Sequence, residues 1–310
     1  MKRLPAISII IPAHNEEKTI YLALDSIKKQ DYKGNLETIV ADNGSTDKTV
    51  QIAKKYGVKI ISIPEKGVAI ARQTGFMAAK GQIIATTDAD TILPVNWLSR
   101  IEAEFSKRPD AVMVSGMYTF YDGSWFLNSL TRLLNYHLFA LFNWYSGTNM
   151  AVKRDAFMKI GGFDTTLPLS EDSDLGVRLR KIGKVHRFNH LKVSTSGRRF
   201  NQLGIIGGLL SYTVAYIKFK LHIKTELGNF KAGSEIPKLG LFPKLAIHFV
   251  VITTLSFLIL GGGFEIKPVR AQVLKREHQL RHELQYQFSK IDVDMPSINT
   301  HNLPHVHYYR

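Results

Sequence analysis

The sequence predicts an α/β fold built on a mostly parallel central sheet, and three observations carry the prediction. From Met1 to about Lys107, short apolar runs alternate with longer amphipathic ones, the pattern of successive βα units. The runs lack polar alternation, as expected of strands covered by helices on both faces. Polar and acidic residues stand where runs stop: Asn15 and Glu16 after the first, Asp42 and Asn43 after the second, Asp88 and Asp90 after the fourth. In open α/β sheets the ligand crevice lies at those carboxyl ends.

Strands are expected over Ile7–Ile11, Leu36–Ala41, Val58–Ile63 and Ile83–Thr87. Met1-Lys2-Arg3 and the first run imitate a signal peptide, but Pro12 cuts the run and His14, Glu16, Glu17 and Lys18 follow, so it reads as a buried strand. Pro94 opens a helix continued by Trp97, Leu98, Ile101 and Phe105. Regularity then falls between Ala111 and Val193, where a strand is expected over Val112–Tyr118 and an aromatic stretch runs from Trp125 to Trp144. A helix starting near Glu171 carries Leu175, Leu179 and Ile182 on one face, with Gly183 as its C-terminal cap. Leu203–Ile217 is apolar but only 15 residues long and holds three glycines. Leu245–Phe264 has 20 residues and no charge unless His248 is protonated, long enough to cross a bilayer as one helix. A basic amphipathic helix is expected from Glu265 to about His282, then a polar tail whose His301, His305 and His307 have no element to fix them as metal ligands.

With 310 residues, 45% apolar and 22% charged, the chain is globular, with one large or two modest domains. The absence of cysteine excludes disulfide scaffolds, Cys-ligated zinc and Cys nucleophiles, and leaves the compartment open. The net charge of +15 invites nucleic acid, an anionic membrane or phosphorylated substrates. From Arg198 onwards 15 Lys and Arg face 7 Asp and Glu, so the basic excess leans towards the C-terminus.

Four constellations carry chemistry. Asp88-Ala89-Asp90 leaves a buried strand with two carboxylates able to share a hard divalent cation, or else forms a solvated turn or helix cap. In Asp42-Asn43-Gly44-Ser45-Thr46-Asp47, Gly44 suits a tight turn and Ser45 or Thr46 an N-cap. Asp42 is left over, placed to accept a nucleobase N–H, while Arg72 stands on the helix before the fourth strand as a ribose or phosphate contact or a surface arginine. Ser170-Glu171-Asp172-Ser173-Asp174 opens a helix whose dipole favours acids. One of them is a candidate general base, kept ionised by that dipole, and Gly161-Gly162 just upstream is a turn able to approach a substrate. Arg198-Arg199 follows a small-residue turn and either clamps a phosphate or faces a membrane.

Taken in order, Ile9-Ile10-Ile11-Pro12-Ala13-His14-Asn15-Glu16, Asp42 to Asp47, Asp88-Ala89-Asp90, Gly147-Thr148-Asn149-Met150-Ala151, Gly161-Gly162-Phe163-Asp164 and Glu171-Asp172-Ser173-Asp174-Leu175 resemble the family 2 glycosyltransferases, inverting enzymes of the GT-A fold. The resemblance covers roughly residues 5–200. It implies a nucleotide-diphosphosugar donor, UDP- or GDP-linked, and a divalent metal, Mg or Mn. By position, Pro12, Asn15, Glu16, Asp42 and Asn43 would hold base and ribose. Arg72 and Asp88 would support the nucleotide, Arg198 and Arg199 the phosphates, and Asp90 with Asp88 the metal. Asp172 would deprotonate an acceptor hydroxyl with Glu171 in support, or the two exchange roles. Two departures stand out. Processive members carry Gln-x-x-Arg-Trp where this chain has only Arg198-Arg199-Phe200, so polymer synthesis is not expected. Neither His186 nor His190 matches the further metal-binding His of some relatives.

The expected organisation is a GT-A catalytic domain over 1–200, an amphipathic or interfacial helical linker over 201–244, a membrane helix over 245–264 and a basic helix with a disordered tail over 265–310. The aromatic stretch either lies in the membrane interface, admitting a lipid-linked acceptor, or covers the core. Membrane association with a cytoplasmic catalytic domain is expected, because nucleotide sugars are cytosolic. Competing readings fare less well. A nucleotidyltransferase wants a Gly-rich basic loop after the first strand and a dinucleotide oxidoreductase wants Gly-x-Gly-x-x-Gly there. A nucleic-acid binder wants a basic face with stacking aromatics, so no nucleic-acid partner is expected. A catalytically inactive membrane-bound scaffold remains the alternative to an enzyme.

Overall fold

The computed structural model describes residues 3–142, 144–167, 170–205 and 207–208. The elements are β1 (Ile7–Ala13), α1 (Ile20–Lys28), β2 (Leu36–Asp42), α2 (Thr49–Lys55), β3 (Lys59–Ser62), α3 (Val68–Met77), β4 (Ile83–Thr86), β5 (Thr91–Ile92), α4 (Trp97–Lys107), β6 (Ala111–Phe120), α5 (Trp125–Phe142), β7 (Met150–Lys153), α6 (Arg154–Lys159), α7 (Glu171–Leu179) and β8 (Lys184–Thr195). Residues 198–205 are also helical. Among the described residues one sheet holds all eight strands in the order β3-β2-β1-β4-β7-β6-β8-β5. β3, β2, β1 and β4 run parallel, β7 runs against β4 and β6, β8 is parallel to β6, and β5 opposes β8. Six strands therefore share one direction, which is the mostly parallel sheet expected. β7, β8 and the two-residue β5 were not foreseen.

Two cores follow from one apolar run. Side chains alternate across a strand, so Ile7, Ile9 and Ile11 of β1 join Leu24 of α1 and Trp97, Leu98 and Ile101 of α4. Ile10 points the other way and joins Phe76 of α3, Phe157 of α6, and Leu175 and Leu179 of α7. All four isoleucines are fully buried, each contributing about 1.5–3 kcal/mol of apolar transfer. A polar clamp crosses the second half of the sheet: Trp97 Nε1 donates to Asn149 Oδ1 at 2.8 Å, and Asn149 Nδ2 donates to the carbonyls of Met117 and Leu191 at 2.9 and 3.0 Å.

Several local expectations are corrected. The third strand is an edge strand with no fully buried residue, because nothing pairs beyond it. α7 ends at Leu179 with Arg180 in right-handed geometry. Gly183 is no left-handed cap; a Cβ there would meet Val112 Cγ1 at 2.3 Å, so glycine admits the close approach to β6. At the start of α2, which follows Lys48, it is Asp47 whose Oδ1 accepts the Thr49 N–H at 2.9 Å. Ser45 and Thr46 are spent elsewhere, on Asn15.

α5 buries Leu127 with Phe120 and Phe200, yet leaves Trp125 79% exposed and Phe126 and Leu133 exposed. Among the described residues no helix is long and apolar enough to cross a membrane. The stretches expected at 245–264 and 265–310, and all of 201–244 except 201–205 and 207–208, lie outside the described residues.

Candidate active site

The carboxyl ends of β1, β2 and β4, the start of α7 and the end of β8 converge, and their side chains form two linked ion clusters. The first is centred on Arg72 of α3. The residue is 5% exposed, with Nη2 donating to Asp88 Oδ1 at 2.6 Å and Nη1 to Glu171 Oε1. Thr148 Oγ1 holds the other Asp88 oxygen. Burial works against the Arg72 charge, but the carboxylates of Glu171, Asp88 and Asp172 overcome it and raise its pKa. The guanidinium leaves no room beside Gly147, where a Cβ would stand 2.3 Å from Arg72 Cζ. Arg72 is thus neither a surface arginine nor a side chain free for ribose; it joins α3, β4 and α7.

Asp172 follows Glu171 in the first turn of α7. Its Oδ2 accepts the Gly147 N–H and its Oδ1 the Ser173 N–H, both at 2.7 Å, which fixes the carboxylate. Burial, then the neighbouring Glu171, push its pKa up to about 7 against the opposing pull of Arg72 and the two N–H groups. The expectation that the helix dipole keeps this acid strongly ionised is therefore corrected, because desolvation and the adjacent acid outweigh it.

The second cluster is centred on Arg198. Its Nη1 donates to Glu16 Oε2 at 2.8 Å and its Nη2 to Glu16 Oε1, while Nη2 lies 3.3 Å from Asp90 Oδ2. Thr195 Oγ1, at the end of β8, donates to Asp90 Oδ1 at 3.1 Å. Burial and the nearby Asp88 raise the Asp90 pKa to about 7, with Arg198 pulling the other way.

The remaining expected residues line the β1 and β2 ends. Asn15 has φ 55°, a left-handed geometry that Asn tolerates, and its Oδ1 accepts the Thr46 N–H at 2.8 Å. Asp42 is buried at the end of β2, with Ser45 N 3.4 Å from each oxygen. Both ends of the Asn43 amide are used by the neighbouring loop: Nδ2 donates to the Glu65 carbonyl and Oδ1 accepts the Gly67 N–H. Asn43 therefore shapes the wall. Pro12 lies in β1 opposite Ala41 of β2, and Arg199 follows Arg198 half-buried. His190 pairs with Glu104 of α4 at 3.2 Å, away from the acids. The Gly161-Gly162 turn has φ 79° and 78° but packs on α3, where Gln73 Oε1 accepts the Phe163 N–H at 2.8 Å. Sequence reasoning gave no roles to Gly147, Thr148 or Thr195. All three stand inside strings singled out in the sequence, but Thr195 reads there as part of the small-residue turn before Arg198, whereas with Ser194 it ends β8.

The donor chemistry fits a hard divalent cation. Among the described residues no three His, Asp or Glu gather as a metal cage, and two carboxylates are what Mg²⁺ or Mn²⁺ needs when water and phosphate supply the rest. Among the described residues, Glu16, Asp88, Asp90, Glu171 and Asp172 gather around the guanidiniums of Arg72 and Arg198. Five acids against two guanidiniums leave a net of −3 with all ionised.

Comparison with known proteins decides the family. The family model described as "Glycosyl transferase family 2" matches residues 8–163, half of the chain. The chain belongs to glycosyltransferase family 2. This family 2 chain is 30% identical over 211 residues to the probable glycosyltransferase YdaM of Bacillus subtilis, covering 61% of itself and 50% of that relative. It thus spans about half the length of that relative. Among solved structures, it resembles the mannosyltransferase PcManGT of Pyrobaculum calidifontis in complex with GDP-Man and Mn²⁺, with TM-score 0.56, 19% identity, and 90% and 81% of the two chains covered. It also resembles glucosyl-3-phosphoglycerate synthase of Mycobacterium tuberculosis in complex with Mn²⁺, UDP-glucose and phosphoglyceric acid, with TM-score 0.53, 22% identity, and 72% and 81% covered. Likeness at these identities establishes the fold, which is the GT-A-like α/β fold.

Proposed function

We propose that this chain transfers a sugar, with inversion, from a UDP- or GDP-linked donor to an acceptor hydroxyl or lipid phosphate, with Mg²⁺ or Mn²⁺ held by Asp88 and Asp90. The observation that carries the reading is Asp172, fixed by two backbone N–H groups beside the Asp88 and Asp90 strand end, with a pKa raised to about 7. A carboxylate of that strength is a better base than an ordinary one and is about half ionised at pH 7. Glu171 is 3% exposed and bound to Arg72, which supports Asp172 as base and Glu171 as its positioning neighbour. Donors of the same class in the two solved relatives support the donor assignment.

In the proposed reaction Asp172 takes the acceptor hydroxyl proton as that oxygen bonds to the anomeric carbon. The bond from that carbon to the donor phosphate breaks, and its electron pair leaves with the nucleoside diphosphate. Attack opposite the leaving group inverts the centre. Arg72 holds Asp88 and Glu171 in place, and Arg198 and Arg199 are the candidate phosphate contacts. A bound divalent cation supplies charge neutralisation to the diphosphate. A phosphate acceptor arrives already ionised and has no proton to give, so dependence on Asp172 separates the two acceptor classes.

Membrane association belongs to the same reading. It is supported by the uncharged 20-residue run at 245–264, the basic excess around it and the outward Trp125, Phe126 and Leu133 of α5. A cytosolic donor puts residues 1–200 on the cytoplasmic side, and labelling of single cysteines introduced into this cysteine-free chain tests that. The decisive enzymatic test is Asp172→Asn: turnover of a nucleotide sugar is lost while donor binding is retained. Unchanged turnover, or none in the native chain with donor bound, overturns the reading, the latter in favour of a scaffold.

A further inference from the structure

Arg198 stands in the crevice in a way that its reading as a phosphate contact does not explain. Its guanidinium is turned onto acids: both Glu16 oxygens take its N–H groups, and Nη2 lies 3.3 Å from Asp90 Oδ2. The other Asp90 oxygen takes the Thr195 hydroxyl. Each Asp90 oxygen is therefore already faced by a donor. The arginine that does this leads a short helix after β8, 182 residues from Glu16, and its side chain is 48% exposed. Glu16 and Thr195 are locked in their turn, Glu16 by the Thr19 hydroxyl at 2.6 Å and Thr195 by Thr91 at 3.0 Å. Glu16 and Thr195 are thus each held by a further hydrogen bond, whereas Arg198 approaches Asp90 on a long, half-exposed side chain.

We propose that Arg198 and the divalent cation compete for Asp90, so that metal arrival moves the guanidinium off the acids and makes it available to the donor diphosphate. This rests on the metal reading of Asp88 and Asp90 given above. Two cations cannot share one carboxylate oxygen at contact distance without strong repulsion, so the cation alone binds against the arginine. When a nucleoside diphosphate is present, the displaced arginine gains a partner of opposite charge. Metal and nucleotide then strengthen one another, and by linkage the factor is the same from either side. The chain would take up the two as a pair and hold metal weakly on its own.

The test measures Mn²⁺ binding to the full chain in detergent by the electron paramagnetic resonance signal of free Mn²⁺, with and without UDP or GDP, for native protein, Arg198→Gln, Arg198→Lys, Asp90→Asn and Arg132→Gln. Expected is about tenfold tighter Mn²⁺ binding by Arg198→Gln without nucleotide, a magnitude set by one half-exposed charge at contact distance, and loss of most of the added affinity that nucleotide confers. Arg198→Lys keeps the charge and falls between. Arg132→Gln, which removes one exposed charge from α5, leaves Mn²⁺ affinity unchanged. If Arg198→Gln binds Mn²⁺ no tighter than the native chain while Asp90→Asn abolishes binding, competition is refuted and the metal site stands. Equal gains in Arg198→Gln and Arg132→Gln reduce the effect to net charge and refute it as well. If Asp90→Asn leaves Mn²⁺ binding intact, the metal reading falls and this inference with it.

Discussion

At the scale of single residues, Asp172 links position to protonation. Replacing it with Asn keeps the shape and removes the base, and turnover to a hydroxyl acceptor is expected to fall roughly 100- to 10,000-fold with donor affinity retained, as read by steady-state kinetics beside calorimetry. The base works ionised and its pKa is raised, so the rate climbs as pH rises through about 7 and levels above it. A base with an ordinary carboxylate pKa would give a profile already flat above about pH 5. Gly147 tests the packing around the same group. Alanine there would place Cβ 2.3 Å from Arg72 Cζ, against a guanidinium held on both sides, and a loss of roughly 1–3 kcal/mol is expected in urea unfolding. These residues were unequally legible. Asp88, Asp90 and Asp172 stood out because acids at strand ends and in first helical turns are local patterns. The partners of Arg72 lie 16 and 99 residues away and leave no local trace.

Among elements, Arg72 adds an ion-pair tie from α3 to the end of β4 and the start of α7, beside the apolar packing of Phe76. Arg72→Met leaves Glu171 buried without its counter-ion and is expected to cost roughly 3–5 kcal/mol, seen as a lower urea midpoint; Arg72→Lys loses less because one ion pair can persist. The same scale explains which strands could be read. β1, β2 and β4 sit in the sheet interior, so their continuous apolar runs and blocking polar residues announced them. β8 hid because Lys184, His186, Arg187, Asn189, His190 and Lys192 fill it and only Leu191, Val193 and Thr195 are buried. Its pairing with β6 also shifts register twice, which removes any simple alternation. β7 is four residues long and its direction is set by its neighbours. The edge position of β3 was equally invisible, since pairing on one side or two leaves the same short apolar run.

For the whole molecule, the acids at the sheet ends tie stability to pH. Asp90 and Asp172 have folded pKa values raised to about 7, so between their ordinary values and about 7 the native state holds protons that the unfolded state has lost. Unfolding free energy then falls as pH rises through that window. Glu37, Asp47 and Asp164 are shifted down and act in the opposite sense, losing their contribution only as pH falls below about 5. Melting temperature is therefore expected to drop from about pH 5 to 7, and to drop less in Asp90→Asn; a rise over that interval would contradict the charge balance drawn for the crevice.

Whether the crevice holds a nucleoside diphosphate through a divalent cation at Asp90 is read directly by calorimetric binding of UDP and GDP to the full chain with and without Mn²⁺, alongside Asp90→Ala. One nucleotide is expected to bind tightly, only with Mn²⁺ present, and to lose that binding in Asp90→Ala. Binding of neither by folded protein, or binding indifferent to both metal and Asp90, would contradict it.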